Sequence, residues 1–156
     1  MRRLAVILVL VAWVAAGCGA SRSVSKGSTA SKSKNKGAAL LATAKKQIGV
    51  KYKFGGKSPS GFDCSGLAWW THKQHGITIQ RSSFKQFSDG KKIKKGNLKP
   101  GDLVFFTTYR KGASHVGFYN GKNGFVHAPS SGKKVQTTSM DNPWWKKRYV
   151  GARRYW

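Results

Sequence analysis

The chain has 156 residues, 39% of them hydrophobic, which is enough for one folded core and excludes a second one beside a leader and a linker. Its 30 Lys and Arg stand against four Asp and no Glu, for a formal net charge of +26. A field of that sign and size excludes polycationic partners and selects anionic ones.

In chain order, Met1-Arg2-Arg3 is a basic start, Leu4 to Ala16 is apolar, and Ala15-Ala16-Gly17-Cys18 places small residues before a cysteine. The apolar run is too short for a transmembrane helix and reads as a signal over residues 1–17. It resembles bacterial lipoprotein signals, which implies cleavage after Gly17 and a diacylglycerol, palmitate-bearing anchor on Cys18. Gly19 follows where Asp would resemble an inner-membrane retention signal, so the periplasmic face of the outer membrane is favoured in a host with two membranes. Residues 18–37 are dominated by Ser, Gly, Ala and Lys and read as a flexible basic tether. A folded domain is expected over residues 38–156. It opens on a helix in which Ala39, Leu40, Leu41, Ala44 and Ile48 share a face and Gly49 is the stop.

Asp63-Cys64-Ser65-Gly66 follows. Asp63 is a good N-cap and Gly76 a good stop, so Cys64 is expected in the first turn of a helix carrying Leu67, Ala68 and Trp70. A free thiol has a pKa of about 8.5, and the helix dipole is expected to favour its thiolate. With Cys18 lipidated, Cys64 has no disulfide partner, and a lone thiol outside the cytoplasm is better explained by chemistry than by packing. His72 and His75 lie roughly 12 and 16 Å along the same helix axis, too far to serve as its base. Both are expected at the surface.

Lysine pairs at 91–92 and 94–95, with further clusters at 133–134, 146–148 and 153–154, are expected to steer anionic material rather than to form a pocket. Pro100-Gly101 introduces a strand over residues 103–108. Two alternating segments, 115–120 and 124–128, flank Asn120-Gly121-Lys122-Asn123-Gly124 and predict a hairpin. With an odd loop centred on Gly121, His115 falls directly opposite His127, so two imidazoles share one face, one to take the thiol proton and the other to orient it. An even loop shifts the register and weakens that geometry. After the turn at Asp141-Asn142-Pro143 the tail 149–155 reads as a closing strand.

Six segments together resemble the NlpC-type (p-sixty) cell-wall endopeptidases. They are Tyr52-Lys53-Phe54-Gly55-Gly56, Gly61 to Leu67, Arg81-Ser82-Ser83, Pro100 to Phe106, His115 to Tyr119 and Phe125 to Ala128, in one order over roughly residues 39–155. The resemblance implies a papain-like α+β fold with N-terminal helices on a central antiparallel sheet, and hydrolysis of peptidoglycan stem peptides between γ-D-glutamate and a diamino acid. It makes Cys64 the nucleophile, His115 the base and acid, His127 the orienting third member, and Tyr52 a donor to the oxyanion. Asp63 has two readings, N-cap or contact to a substrate ammonium, of which the cap is favoured. Arg81 and Ser83 match a segment lining the cleft, without a chemical step.

The reading is of a monomer without cofactor or metal, held to the membrane by its lipid. Its partners are stem peptides and anionic envelope polymers or lipid, with no nucleic acid. An amidase or an acyltransferase using the same acyl-enzyme is one rival. A basic polyanion-binding module is another, with Trp69, Trp70, Trp144, Trp145 and Trp156 as stacking residues. Metal binding by Cys64, His115 and His127 is the third.

Overall fold

The computed structural model describes residues 27–156. The leader and Cys18 lie outside the described residues. Helix α1 (Gly27–Lys45) begins inside the stretch expected to be a tether. Nothing there stops a helix, since residues 27–36 contain no proline and Ala and Lys are good helix formers. Close packing starts at Gly37, buried against Pro100 and Trp156, and continues through the buried Leu40, Leu41 and Ala44. The helix ends at Lys45 rather than near Gly49, so Ile48 falls in the following turn and is 48% exposed instead of joining the apolar face.

A two-stranded ribbon, β1 (Lys57–Ser58) and β2 (Gly61–Phe62), leads into α2 (Cys64–Gln74) and α3 (Ser83–Asp89). Next come β3 (Lys91–Ile93), a 3-10 turn at Lys95–Asn97, β4 (Leu103–Phe106), β5 (His115–Tyr119), β6 (Gly124–His127) and β7 (Gln136–Ser139). Helix α4 (Pro143–Arg148) and β8 (Tyr149–Arg154) complete the chain. Strands β3 to β8 form one antiparallel sheet of six in the order β3-β8-β4-β5-β6-β7. The architecture is the α+β arrangement expected, helices on a central antiparallel sheet. The tail is a strand as expected, and it inserts between β3 and β4.

Alternation along the strands divides the core between the two faces of this sheet. Leu103, Phe105, Val116, Phe118 and Val126 join Leu40, Leu67 and Ala68 under α1 and α2. Val104, Phe106, Phe125 and Ala152 face the other way, where Trp145 of α4 and Tyr149 pack on them. Each fully buried Phe contributes roughly 2–3 kcal/mol. A continuous apolar run such as Leu103 to Phe106 is therefore stable only in a strand covered on both faces, and all four of its residues are buried. His115 lies beside Phe106 across the β4–β5 ladder and so belongs to the α4 face.

Candidate functional site

Helix α2 starts where the sequence predicts. Asp63, in extended backbone, caps it, its Oδ1 accepting from Gly66 N at 2.6 Å and from Ser65 Oγ at 3.0 Å. Arg81 closes on the same carboxylate, Nη1 donating to Oδ1 at 3.0 Å and Nη2 to Oδ2 at 2.6 Å. Those two nitrogens also donate to Ser65 Oγ at 2.9 Å and to the Gly56 carbonyl at 3.1 Å. Each terminal nitrogen thus makes two bonds, and Arg81 ties the loop before β1 to the first turn of α2. The approach is so close that a Cβ on Gly66 would fall on the Gly56 carbonyl oxygen. Of the two readings of Asp63, the cap is the one the geometry displays. Ser83, 4% exposed, opens α3 and takes no part in this side-chain network.

Cys64 is the first residue of α2, a free and half-buried thiol. It packs against the core cluster that includes Val116 of β5, the residue after His115, and the amides of Val116 and Ser65 favour its charged form. The expected ionisation by the helix terminus is outweighed. Burial pushes the thiol up to about 11, the neighbouring Asp63 carboxylate adds to that, and the amides of Val116 and Ser65, with the Arg81 charge, pull only part of it back. The residue that caps the helix thus places a negative charge beside the sulfur. Tyr52, half-buried, lies within electrostatic reach of Cys64, Asp63 and Tyr109, and its phenol is raised first by burial and then by Cys64.

The two histidines share a face, but not by direct opposition. Asn120 Oδ1 accepts from Lys122 N at 2.8 Å and Gly124 N at 3.0 Å, which centres the turn on Lys122 rather than Gly121. Phe118 accordingly pairs with Val126 and Tyr119 with Phe125, a slip of two residues from the expected register. A slip of two preserves the side-chain face, whereas a slip of one would have reversed it. Continuing the ladder sets Gly117 opposite His127, where a Cβ would come within 3.0 Å of the His127 Cβ. With no side chain there, His127 reaches diagonally to His115, and His115 Nε2 lies 2.8 Å from His127 Nδ1 with the rings edge to face.

Two partners of this pair were not legible in the sequence. His127 Nε2 is 2.9 Å from Thr138 Oγ1 on β7. Trp145 of α4 covers both imidazoles, with ring centroids 5.2 Å from His115 and 5.0 Å from His127. That cover keeps water away, and burial lowers His115 to about 3 and His127 to about 2, the second aided by repulsion from His115 and Lys133. Nothing local marks Thr138. Helix α4 did leave a signal within the stretch read as a plain turn. Asn142 caps it, accepting from Trp144 N at 3.0 Å, and Pro143 occupies its first turn. Trp145 also walls a cavity of about 540 Å³ with Tyr109, Lys133, Asn142 and Trp144.

Of the remaining histidines, His75 is exposed at the end of α2, as expected, while His72 is not at the surface but fully buried. Its Nδ1–H donates to the Ala68 carbonyl at 2.8 Å, and its ring packs on Phe118 and Tyr155. Burial lowers it to about 4. The shared bond between His115 and His127 uses the ring nitrogens that a common metal ion would need, and no cluster of metal-ligating side chains forms among the described residues.

A cysteine at a helix terminus, packed against a central strand of an antiparallel sheet that carries one of two paired histidines, defines the class of this fold and site. The chain belongs to the NlpC/P60 family, whose model matches residues 49–154. It is 44% identical over 116 residues to a probable peptidoglycan endopeptidase, LytE, of Bacillus subtilis, covering 74% of this chain and 34% of that protein. It is 46% identical over 107 residues to the murein DD-endopeptidase and murein LD-carboxypeptidase MepS of Escherichia coli, covering 68% of this chain and 56% of that one. The chain thus spans between a third and somewhat over half the length of these relatives. The crystal structure of an NlpC/P60 family protein from Bacillus cereus superposes with a TM-score of 0.72 at 38% identity, covering 76% of this chain and 40% of that one.

Proposed function

We propose that the protein is a cysteine peptidase of the cell wall that hydrolyses stem peptides of peptidoglycan, between γ-D-glutamate and a diamino acid. The observation that carries this reading is Cys64 in the first turn of α2, packed on the core cluster that holds Val116 of β5, with the hydrogen-bonded His115–His127 pair reached from that same strand. The names borne by the relatives, both hydrolases of peptidoglycan, support the substrate class.

In this reading the resting pair is neutral, since burial disfavours a lone thiolate and a lone imidazolium alike. The proton moves from the Cys64 sulfur to His115 as the sulfur attacks the amide carbon, so that the two charges arise together and stabilise each other. The Tyr52 hydroxyl donates to the oxygen that becomes negative, a contribution of roughly a hundredfold in rate for one such donor. Collapse of the tetrahedral intermediate breaks the C–N bond, and His115 returns the proton to the leaving amine. Water, deprotonated by the same imidazole, then frees the acyl group. His127 holds His115 in position throughout. Asp63 and Arg81 act on the reaction only by fixing the first turn of α2.

Mass spectrometry of muropeptides after digestion of purified sacculi tests the proposal. Soluble products ending in γ-D-glutamate are expected, and none from Cys64→Ala at unchanged thermal stability. Full activity of Cys64→Ala ends the thiol mechanism. Products cut only at the D,D cross-link, the bond named for MepS, would replace the γ-D-glutamyl assignment. Anchoring through a lipidated Cys18, at the periplasmic face of an outer membrane where the host has one, belongs to the same proposal. It requires Cys18→Ala to leave the membrane fraction at high salt, where charge attraction is screened.

A further inference from the structure

At the β3 edge of the sheet, a groove of about 610 Å³ runs between β3, the 3-10 turn and the end of β8. Lys91, Lys92, Lys94 and Lys99 line it together with Arg154. The sequence predicts steering by the pairs 91–92 and 94–95 without a pocket; the fold gathers Lys91, Lys92 and Lys94, with Lys99, around a concavity. Three strand spacings, roughly 14 Å, separate β3 from β5, so the groove is distinct from the Cys64 site.

No carboxylate is free inside it. The Arg154 guanidinium is held by the buried Asp102, Nε on Oδ1 and Nη2 on Oδ2, both at 2.6 Å. Asp102 is thereby neutralised, and the planar fork that would recognise a single carboxylate is already occupied. What remains is a row of lysine point charges, which suits tetrahedral phosphates presented in series. No aromatic ring lines the groove, so it offers no platform for nucleobases. None of the large exposed apolar side chains, Ile48, Phe54, Tyr109, Trp144 and Val150, lines the groove, so its walls offer no large apolar anchor for a bilayer.

We propose that this groove is a second, non-catalytic binding site for a flexible polymer of phosphodiesters, which holds the enzyme on the phosphate-bearing material of the envelope while the Cys64 site works on peptide. The proposal rests on the cell-wall reading only for where such a polymer is met. The binding itself does not depend on Cys64.

Binding of the full chain to poly(glycerol phosphate), followed by calorimetry, decides it. The variant with Lys91, Lys92, Lys94 and Lys99 changed to Gln is expected to bind at least about tenfold more weakly. A variant losing the same charge elsewhere, at Lys45, Lys46, Lys85 and Lys147, is expected to stay within about threefold of the parent. Hydrolysis of a short soluble stem peptide is expected to be unchanged in both, which separates this test from that of the peptidase. Equal losses in the two variants would overturn the proposal in favour of net charge. Tighter binding to single-stranded DNA would overturn a polymer without nucleobases as the occupant, and tighter binding to poly-γ-glutamate or to phosphatidylglycerol vesicles would overturn a phosphate polymer altogether.

Discussion

His127 has a partner on each ring nitrogen, and a neutral imidazole has only one hydrogen to share between them. If His115 takes a proton on Nδ1, its Nε2–H donates to His127 Nδ1. His127 must then carry its hydrogen on Nε2, where Thr138 Oγ1 accepts it. Thr138→Val is therefore expected to lower kcat by about tenfold with little change in KM, and Thr138→Ser to restore it. Nitrogen NMR of His127 in the resting protein is the independent readout, with Nε2–H in the parent and a tautomer mixture in the valine variant. Unchanged kcat and tautomer would remove Thr138 from the site. Trp145 acts on the same pair through water. With His115 as the proposed base, activity requires its neutral form and is expected to be lost as pH falls through the imidazole's lowered pKa, near 3. Trp145→Ala admits solvent, and the acid limb of the pH–rate profile is expected to move upward, towards the ordinary histidine value of about 6.5. A limb that stays in place would show that the indole does not cause the desolvation.

Helix α2 works by docking its first turn onto the preceding loop, and its strength as an isolated helix matters little. Gly66 lets the Gly56 carbonyl approach, while Arg81 bridges Gly56, Ser65 and Asp63. Gly66→Ala sets a methyl group against backbone that no rotamer change can relieve. It is expected to cost at least about 2 kcal/mol in urea unfolding and to reduce turnover by displacing Cys64. Gly96→Ala is the control, because nothing meets a Cβ there and a near-neutral change is expected. Equal stability of the two variants would mean that the α2 junction is looser than its contacts indicate.

Across the molecule, three histidines are buried and held neutral, at about 4 for His72, 3 for His115 and 2 for His127. The unfolded chain, with histidines near 6.5, binds protons first as pH falls, so stability is complete above pH 6.5 and declines on acidification towards 4 and below. Each histidine adds up to about 1.4 kcal/mol per pH unit to that slope. His72→Leu, remote in chemistry from Cys64, is expected to flatten the decline between pH 6 and 4.5 by about one such increment. Urea unfolding at several pH values reads it directly. A stability that rises on acidification contradicts the burial assigned to these rings.

The sequence by itself determined the local features. The Asp63 cap and the cysteine after it, the strand after Pro100-Gly101, the two histidine-bearing strands and the final strand were all legible. Caps, turn residues and alternation act within a few residues of where they are written. Tertiary structure decided the rest, because it depends on which distant surfaces become neighbours. Arg81 meets Asp63 from 18 positions away, Trp145 reaches the histidines from a helix where the sequence reading has only the turn that precedes it, and His72 is enclosed by Phe118 and Tyr155. The hairpin slipped by two residues because Asn120 gathers the turn amides, yet the histidines still met, since the period of a strand is two. Even the thiol's charge state was a tertiary matter: the helix terminus was visible in the sequence, but the burial that outweighs it exists only once β5 and α2 have closed on the sulfur.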